Sequence, residues 1–372
     1  MRLLAIGILV LLVVSTIVLP VAAAPSEDLK IDHNSGVRAV YTEDNAASNN
    51  VWRFAMFSNG TLGSGVPYSA GGSGTGIAFH SQGAIALTDN GRWLLAVDAG
   101  SNEITAFLVT PNGLTMTDKV SSHGMMPISV TVQDSLVYVL NSASKNIAGF
   151  TLSSSGKLSY LSGSNLSLNS GAASPEQIGF GSKPDGDILV VAEKGSNQID
   201  TYSVDHKGVP KGPITTVSHG NGPYGFAFTN KGDLVDSEAG SGAVSTYDVS
   251  KIGTLKVISG SISTTGAGDT PCWVAITDNG RFAYTGNGAA GTVSSYKLAG
   301  DGSINLISEN AAGGLYSPSL DLAFSKDSDF LYLLSADAGK ITGFRVNQAN
   351  GGLTVVSTVS GLPTSAAGLA AL

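Results

Sequence analysis

The chain has 372 residues, of which 48 are glycine and only 13% are charged, and its formal net charge is −8. Nucleic acids and anionic membranes bind clustered lysine and arginine, so this charge balance argues against both as partners. Cys272 is the only cysteine, which excludes an intramolecular disulfide.

The N-terminus has the pattern of a secretory signal. Arg2 precedes an apolar run over residues 3–19, and small residues follow Pro20. We place cleavage after Ala23, which gives a signal peptide at 1–23, an N-terminal linker at 24–35 and a folded part at 36–372. No cysteine follows the cleavage site, so we expect a secreted protein, periplasmic or extracellular, without a lipid anchor. The alternative is an uncleaved anchor, since roughly 18 apolar residues begin to span a bilayer; nothing later in the chain resembles a membrane span.

One sequence phrase recurs seven times in the remaining chain. Each copy has an apolar run, a turn rich in Asp, Asn and Gly, and a second, alternating run, which together predict a β-hairpin. Most copies continue into a further turn and strand. The copies occupy residues 37–57, 88–109, 132–152, 183–204, 229–249, 277–298 and 326–346.

A short strand precedes most copies and is introduced by proline. These prolines lie 47 or 48 residues apart and are Pro127, Pro175, Pro223, Pro271 and Pro318. Four short strands in about 45–50 residues are the signature of a propeller blade. We therefore predict an all-β protein, a single seven-bladed β-propeller with four antiparallel strands per blade.

The two ends of the repeat array complement each other. The first copy has no strand before it, whereas Pro363 and the segment AAGLAAL after the last copy match the inner-strand pattern. We predict that one blade is built from both termini. This blade closes the ring and removes the sheet edges that an open array would expose.

Two sets of polar residues are candidates for a site at one mouth of the channel, where the loops leading into the inner strands meet the hairpin turns. The hairpin turns carry Asp44, Asp98, Asn141, Glu193, Glu238, Asn287 and Asp337. Asp and Asn also favour turns for their own backbone hydrogen bonds, but Glu has no such preference. The loops leading into the inner strands carry His80, Gln82, His123, Glu176, Gln177, His219, Tyr224, Cys272 and Trp273.

His123 and His219 each lie four residues before a blade proline, so they occupy matching places in two blades. A histidine beside a carboxylate could act as a general acid or base near neutral pH, or it could simply bond to backbone. Cys272 lies in the apolar segment DTPCWVAI. We interpret it as a small buried hydrophobic residue rather than a nucleophile, because no cation in sequence would lower its pKa.

The phrases TDNGRFAYTGN, SKPDGDILVVAEK and SKDSDFLYLLSA resemble those of the seven-bladed lactonase family, which includes 6-phosphogluconolactonase-like and carboxymuconate-cyclase-like proteins. The resemblance covers residues 36–372. In that family a proline-arginine-histidine phrase and a glutamate at the end of the following strand carry catalysis. The corresponding residues here are Pro175, Glu176, Gln177 and Glu193. The glutamate matches, whereas an amide at 177 keeps hydrogen bonding and removes proton transfer.

The resemblance implies an enzyme that hydrolyses or isomerises a lactone or other cyclic ester. Glu193 would be the acid or base, helped by His123, His219 or Glu238. Binding of a lactone or sugar-derived ligand would fall to Gln177, Glu176, Tyr224, Trp273, Asn141, Asn287 and Asp98. The alternative is a noncatalytic exported scaffold that binds a protein, a glycan or a small molecule. We expect a monomer in either case.

A metal-assisted version of the enzyme would use Ca²⁺, which prefers oxygen ligands. The side chains that could supply them are those of Asp98, Asn141, Glu193, Glu238 and Asn287. No organic cofactor is expected.

Overall fold

The computed structural model describes residues 36–169, 171, 173–183, 186–264, 270–313, 315 and 321–372. All of them belong to one unit, residues 33–372. The predicted signal peptide, the predicted linker and Pro318 lie outside the described residues. No helix in the described ranges is long and apolar enough to cross a membrane.

The described chain is built from β-strands. In chain order they are β1 (Ala39–Glu43), β2 (Asn50–Met56), β3 (Leu62–Ser69), β4 (Ile85–Leu87), β5 (Trp93–Asp98), β6 (Glu103–Thr110), β7 (Gly113–Ser121), β8 (Pro127–Gln133), β9 (Leu136–Asn141), β10 (Asn146–Leu152), β11 (Leu158–Tyr160), β12 (Leu166–Ser167), β13 (Pro175–Lys183), β14 (Gly186–Glu193), β15 (Gln198–Val204), β16 (Pro210–Val217), β17 (Pro223–Phe228), β18 (Leu234–Glu238), β19 (Ala243–Val249), β20 (Leu255–Ser263), β21 (Pro271–Ile276), β22 (Phe282–Asn287), β23 (Thr292–Leu298), β24 (Ile304–Ala312), β25 (Asp321–Phe324), β26 (Phe330–Ser335), β27 (Lys340–Val346), β28 (Leu353–Ser360) and β29 (Ala367–Ala371).

These strands form seven antiparallel sheets in a ring, which confirms the predicted seven-bladed propeller. From the inner to the outer strand, blade 1 is β29-β1-β2-β3 and blade 2 is β4-β5-β6-β7. Blade 3 is β8-β9-β10-β11, with β12 also paired to β10. Blades 4 to 7 are β13–β16, β17–β20, β21–β24 and β25–β28.

Blade 1 takes its inner strand from the end of the chain, as predicted. Strand β29 pairs with β1 through Val40 with Ala371 and Tyr41 with Ala370. Each blade packs on two neighbours, so this pairing completes the ring and covers the edge of β1 that would otherwise be exposed.

Burial explains the two kinds of apolar run seen in the sequence. The second strands β5, β22 and β26 are buried at every position, because sheets of neighbouring blades cover both of their faces. The third strand β6 is also largely buried, whereas the outer strand β16 is mostly exposed. Continuous apolar runs therefore become second strands, and the alternating runs that follow them become third strands.

Adjacent blades are joined by tyrosines on the second strands. Tyr284 Oη donates to Gly351 O at 2.8 Å, and Tyr332 Oη donates to Gly60 O at 2.9 Å. Each acceptor lies in the outer turn of the next blade. Gly60 has a φ of 84° and a Cβ there would lie 2.1 Å from the Phe330 ring, so only glycine fits this turn.

Four of the predicted prolines, Pro127, Pro175, Pro223 and Pro271, each begin an inner strand. This is the position in a strand where a missing N–H is tolerated. Blade 2 departs from the pattern: its inner strand β4 has three residues and no proline. The loop before it, residues 70–84, enters the mouth of the channel.

Candidate functional site

Five of the seven oxygen-bearing residues of the predicted turn ring end second strands and are buried. Asp98 accepts hydrogen bonds from Asn49 Nδ2 at 2.9 Å and Thr105 Oγ1 at 2.7 Å. Glu238 accepts from Gly220 N at 2.8 Å and Ser261 Oγ at 2.7 Å. The ring residues with essentially no exposed surface are Asp98, Asn141, Glu193, Glu238 and Asn287. Their side chains form hydrogen bonds that stabilise turns and the loops between blades.

Two members of the predicted ring occupy other positions. In blade 7, Ser335 pairs with Lys340 just as Asp98 pairs with Glu103 in blade 2, so Ser335 is the ring residue and Asp337 lies in the turn. In blade 1, Glu43 ends the second strand. Asp44 was wrongly assigned because the turn of this blade is longer than the others.

The calcium site considered from the sequence is not supported. Its five ligands would come from five blades, and the contacts of each lie within its own blade or an adjacent loop. Throughout the described residues no group of three or more His, Cys, Asp or Glu side chains is placed to hold a metal ion.

Burial makes several of these carboxyls weak acids. It raises the pKa of Asp98 to about 6, that of Glu193 to about 7 and that of Asp321 to about 7. In each case hydrogen bonds to the carboxylate oppose the shift only in part. The folded protein therefore holds protons that the unfolded chain releases near pH 4.

We expect the melting temperature to be higher at pH 5 than at pH 8. A carboxyl with a raised pKa stabilises the fold fully below its unfolded pKa, and this stability is lost as pH rises from about 4 through about 7. Thermal melts from pH 5 to 8 measure the slope. Asp98→Asn should make the dependence of melting temperature on pH shallower. Asp205→Asn should leave this dependence unchanged, because Asp205 is an exposed carboxyl with a lowered pKa. Equal slopes in the unmodified protein and both variants would contradict the prediction.

The two paired histidines lie over the outer strands. The His123 ring stacks on Tyr160 of β11 with centroids 3.8 Å apart. His219 also lies over an outer strand, because its ring packs against Gly260 of β20. Its backbone N donates to Tyr247 Oη at 2.9 Å. The matching places predicted for them are found, but neither is among the described residues that line the mouth cavity.

A cavity of about 580 Å³ opens at the channel mouth over blades 4, 5 and 6. This volume is within the range of about 300–1,000 Å³ common for small-molecule sites. The cavity is lined by His80, Glu176, Lys194, Tyr224, Ala239, Gly240, Thr270, Cys272, Trp273, Gly288 and Ala289. We call it the mouth cavity.

The lining residues follow a simple rule of position. Glu176, Tyr224 and Cys272 each come directly after a blade proline, and Lys194, Ala239 and Gly288 each come directly after a buried ring residue. Consecutive residues near a strand end point to opposite faces, so the ring points into the blade and its successors face the mouth. Lys194 is not among the site residues predicted from the sequence for this reason, although its place directly after Glu193 is a usable signal.

Aromatic groups order the wall of the mouth cavity. Tyr224 and Trp273 meet edge to face with centroids 5.6 Å apart, and Lys194 Nζ lies 4.9 Å from the centre of the Tyr224 ring. Tyr224 Oη donates to His80 O, and the Tyr224 hydroxyl lies close enough to the Glu176 carboxyl to lower the pKa of that carboxyl.

Two titratable groups of the mouth cavity have pKa values that are shifted in opposite directions. Burial raises the pKa of Glu176 to about 8, and the nearby Lys194 charge and the Tyr224 hydroxyl reverse only part of this shift. Burial, followed by repulsion from Lys194, lowers the pKa of His80 below its ordinary value, with Asp337 acting in the other direction. At pH 7 Glu176 is therefore mainly a neutral acid and His80 a neutral imidazole.

Cys272 is a buried thiol at the cavity wall. Burial raises its pKa to about 12, so the nucleophilic thiolate is scarce at neutral pH. This agrees with its interpretation as a small hydrophobic residue.

The residues that match the family phrase are divided by the structure. Glu176 faces the mouth cavity. Gln177 instead pairs with the backbone of the next blade, through Nε2 to Phe226 O at 3.1 Å and Phe226 N to Oε1 at 2.7 Å. Glu193 is buried, accepts from Asn169 Nδ2 and Ser196 Oγ, and does not line the cavity. Glu193 and Glu238 thus do not line the mouth cavity, and Gln177 lines a separate cavity formed mainly by apolar inner-strand residues.

Comparison with known proteins gives a consistent result. A family model described as "Lactonase, 7-bladed beta-propeller" matches residues 45–172 and 234–314, more than half of the chain. No curated protein gives a significant match.

Several solved structures share the fold. A putative 6-phosphogluconolactonase from Bacteroides fragilis is 15% identical, with a TM-score of 0.70 over 91% of this chain and 99% of its own. A periplasmic gluconolactonase from Pseudomonas aeruginosa is 16% identical, with a TM-score of 0.68 over 90% and 99%. A protein from Lactobacillus plantarum is 17% identical, with a TM-score of 0.73 over 90% and 99%. At these identities the likeness shows the fold alone.

Proposed function

This chain belongs to the seven-bladed β-propeller lactonase family, and from that premise we propose that it hydrolyses a lactone or related cyclic ester in the mouth cavity. The observation that carries the proposal is the cavity itself, in which Glu176, His80 and Lys194 meet beside an aromatic wall. Pairs of groups whose surroundings push their pKa values apart are characteristic of acid and base assignments in enzymes.

In the proposed reaction one water molecule is added across the ester. Neutral His80 accepts a proton as the water oxygen bonds to the lactone carbonyl carbon, and the Lys194 ammonium stabilises the negative charge that develops on the carbonyl oxygen. The bond from the carbonyl carbon to the ring oxygen then breaks, and Glu176 donates its proton to that leaving oxygen. The product is an open hydroxy acid, and solvent exchange restores both proton carriers.

The test is an assay of the purified protein on a panel of sugar-derived and aromatic lactones. Hydrolysis is measured as the release of acid at pH values from 5 to 9. We expect turnover near pH 7 and a loss of kcat as pH rises through about 8, where Glu176 gives up its proton. On the acidic side the loss should begin below the ordinary histidine pKa, because that of His80 is lowered. No turnover of any member of the panel by a well-folded sample would refute the proposal.

We further propose that the protein acts after export. The apolar run after Arg2 and the small residues up to Ala24 support this. Expression of the full chain in a host with a secretory pathway should yield protein outside the cytoplasm whose N-terminal sequence begins at Ala24. Recovery of a chain that still begins at Met1 from the cytoplasm would contradict export.

A further inference from the structure

A segment of the long loop before blade 2 crosses the channel mouth. We call residues 79–83 the plug. It is bonded to inner strands of five other blades. In order of blade, these bonds are Ser81 Oγ to Ile128 O at 2.7 Å, Gln82 N to Glu176 O at 3.3 Å, Tyr224 Oη to His80 O, Trp273 Nε1 to Ser81 O at 3.2 Å and Gly83 N to Asp321 Oδ2 at 3.5 Å.

Gln82 holds one residue of another blade through two hydrogen bonds. Its Nε2 donates to Val274 O at 2.8 Å and its Oε1 accepts from Val274 N at 3.0 Å, so one side chain satisfies both backbone groups of a residue in blade 6. The plug belongs to blade 2, and these two blades are not neighbours in the ring. The clamp therefore spans the channel.

The plug separates two spaces in the channel. His80 faces the mouth cavity, whereas Gln82 and Gly83 face a second cavity of about 390 Å³ lined mainly by apolar inner-strand residues. Because the plug lies between them, we expect ligand and water to reach His80 from the mouth alone.

We propose that Gln82 is a positioning residue, whose clamp on Val274 holds the plug across the channel and thereby holds the His80 imidazole in the mouth cavity. His80 lies two residues before Gln82, and no helix or strand of its own fixes it. The backbone O of His80 accepts one hydrogen bond, from Tyr224 Oη, and Ser81 makes single hydrogen bonds to two different residues, whereas Gln82 makes two hydrogen bonds to one residue. This inference rests on the proposed function, in which His80 accepts the proton of water.

The chain offers a matched control for the clamp. Gln177 makes the same paired bonds to Phe226, but between the adjacent blades 4 and 5 and without holding the plug. Gln82→Ala and Gln177→Ala each remove one buried amide clamp from an inner strand, so their effects on stability should be similar. Only Gln82→Ala should disturb His80.

The experiment measures lactone hydrolysis and the titration of the His80 imidazole by NMR, with the resonance assigned from His80→Asn. Gln82→Ala should lower kcat about 10²-fold with KM nearly unchanged, because a misplacement of about 1 Å costs that much. It should also move the pKa of His80 toward its ordinary value, because burial and then the Lys194 charge lower this pKa in the intact site while Asp337 opposes them. Gln177→Ala should leave that titration unchanged. If Gln82→Ala does not fold, Ser129→Ala replaces it, because Ser129 Oγ donates to Gln82 O at 2.7 Å; a smaller change in the same direction is expected.

Equal effects of Gln82→Ala and Gln177→Ala on kcat and on the His80 titration would overturn the inference, since Gln82 would then be a structural clamp only. If the unmodified protein hydrolyses no lactone, the proposed function fails while the titration still decides the inference. A His80 shift seen only in Gln82→Ala supports the positioning role, and no shift refutes it.

Discussion

A chain that ends at residue 362 is expected to lose the cooperative unfolding transition of the full protein. The deletion removes β29, which pairs with β1 and supplies the buried residues Ala367 and Leu369. It also removes Leu369 N, which donates to Asp321 Oδ2 at 3.0 Å, so the hydrogen bond between the inner strands of blades 7 and 1 is lost. Domain stabilities are only about 5–15 kcal/mol, and an opened ring exposes two blade faces and the edge of β1.

Circular dichroism melts of the deleted and full chains measure this effect. A graded version compares Leu369→Ala, 5% exposed in the inner strand, with Val355→Ala, 56% exposed in the outer strand β28. Leu369→Ala should lower the free energy of unfolding by about 2–5 kcal/mol, and Val355→Ala should change it by no more than about 0.5 kcal/mol. A deleted chain that melts at the same temperature as the full protein would show that the ring does not depend on this closure.

Glu176→Gln is expected to lower kcat for lactone hydrolysis by about 10²–10⁴-fold, the usual range for loss of a general acid. The amide has the shape of the protonated carboxyl and cannot donate its proton to the leaving oxygen. Because the pKa of Glu176 is about 8, the native side chain is already mainly neutral at pH 7. The melting temperature at pH 7 should therefore change little, and the alkaline fall of the remaining activity near pH 8 should disappear.

Glu193→Gln is the matched comparison, since it makes the same chemical change at the glutamate that the family resemblance selects. Glu193 is buried among Asn169, Ser196 and Asp200, so its substitution should change stability and leave kcat within about threefold. If Glu193→Gln instead abolishes hydrolysis while Glu176→Gln retains it, the assignment of the acid to Glu176 is wrong.

The architecture was predictable because its signals are local. Strand runs, turn residues and the prolines at Pro127, Pro175, Pro223 and Pro271 repeat at a nearly constant spacing, and each repeat reports one blade. The missing first strand and the surplus segment around Pro363 also identified the closing blade. These features need no knowledge of which blades touch across the channel.

The site depended on orientation, which the sequence constrains only to within one residue. Glu193 and Lys194 are adjacent, yet one is buried in its blade and the other faces the cavity. A shift of one position therefore moved the predicted ring from the mouth into the blade interior, because side chains alternate along a strand. The sequence predicts that Glu176 binds a ligand, but it does not predict that Glu176 is a weak acid. The raised pKa of Glu176 comes from burial by neighbouring blades, which exists only in the folded protein.

The sequence by itself determined the seven blades, their strand order and the closure of the ring, because periodic runs and turns are properties of short segments. The tertiary structure alone decided the mouth cavity and the plug. Gln82 meets Val274 across 192 positions of sequence, and Tyr224 meets His80 across 144. No local pattern encodes such pairs, because they exist only when the inner strands of all the blades surround one channel.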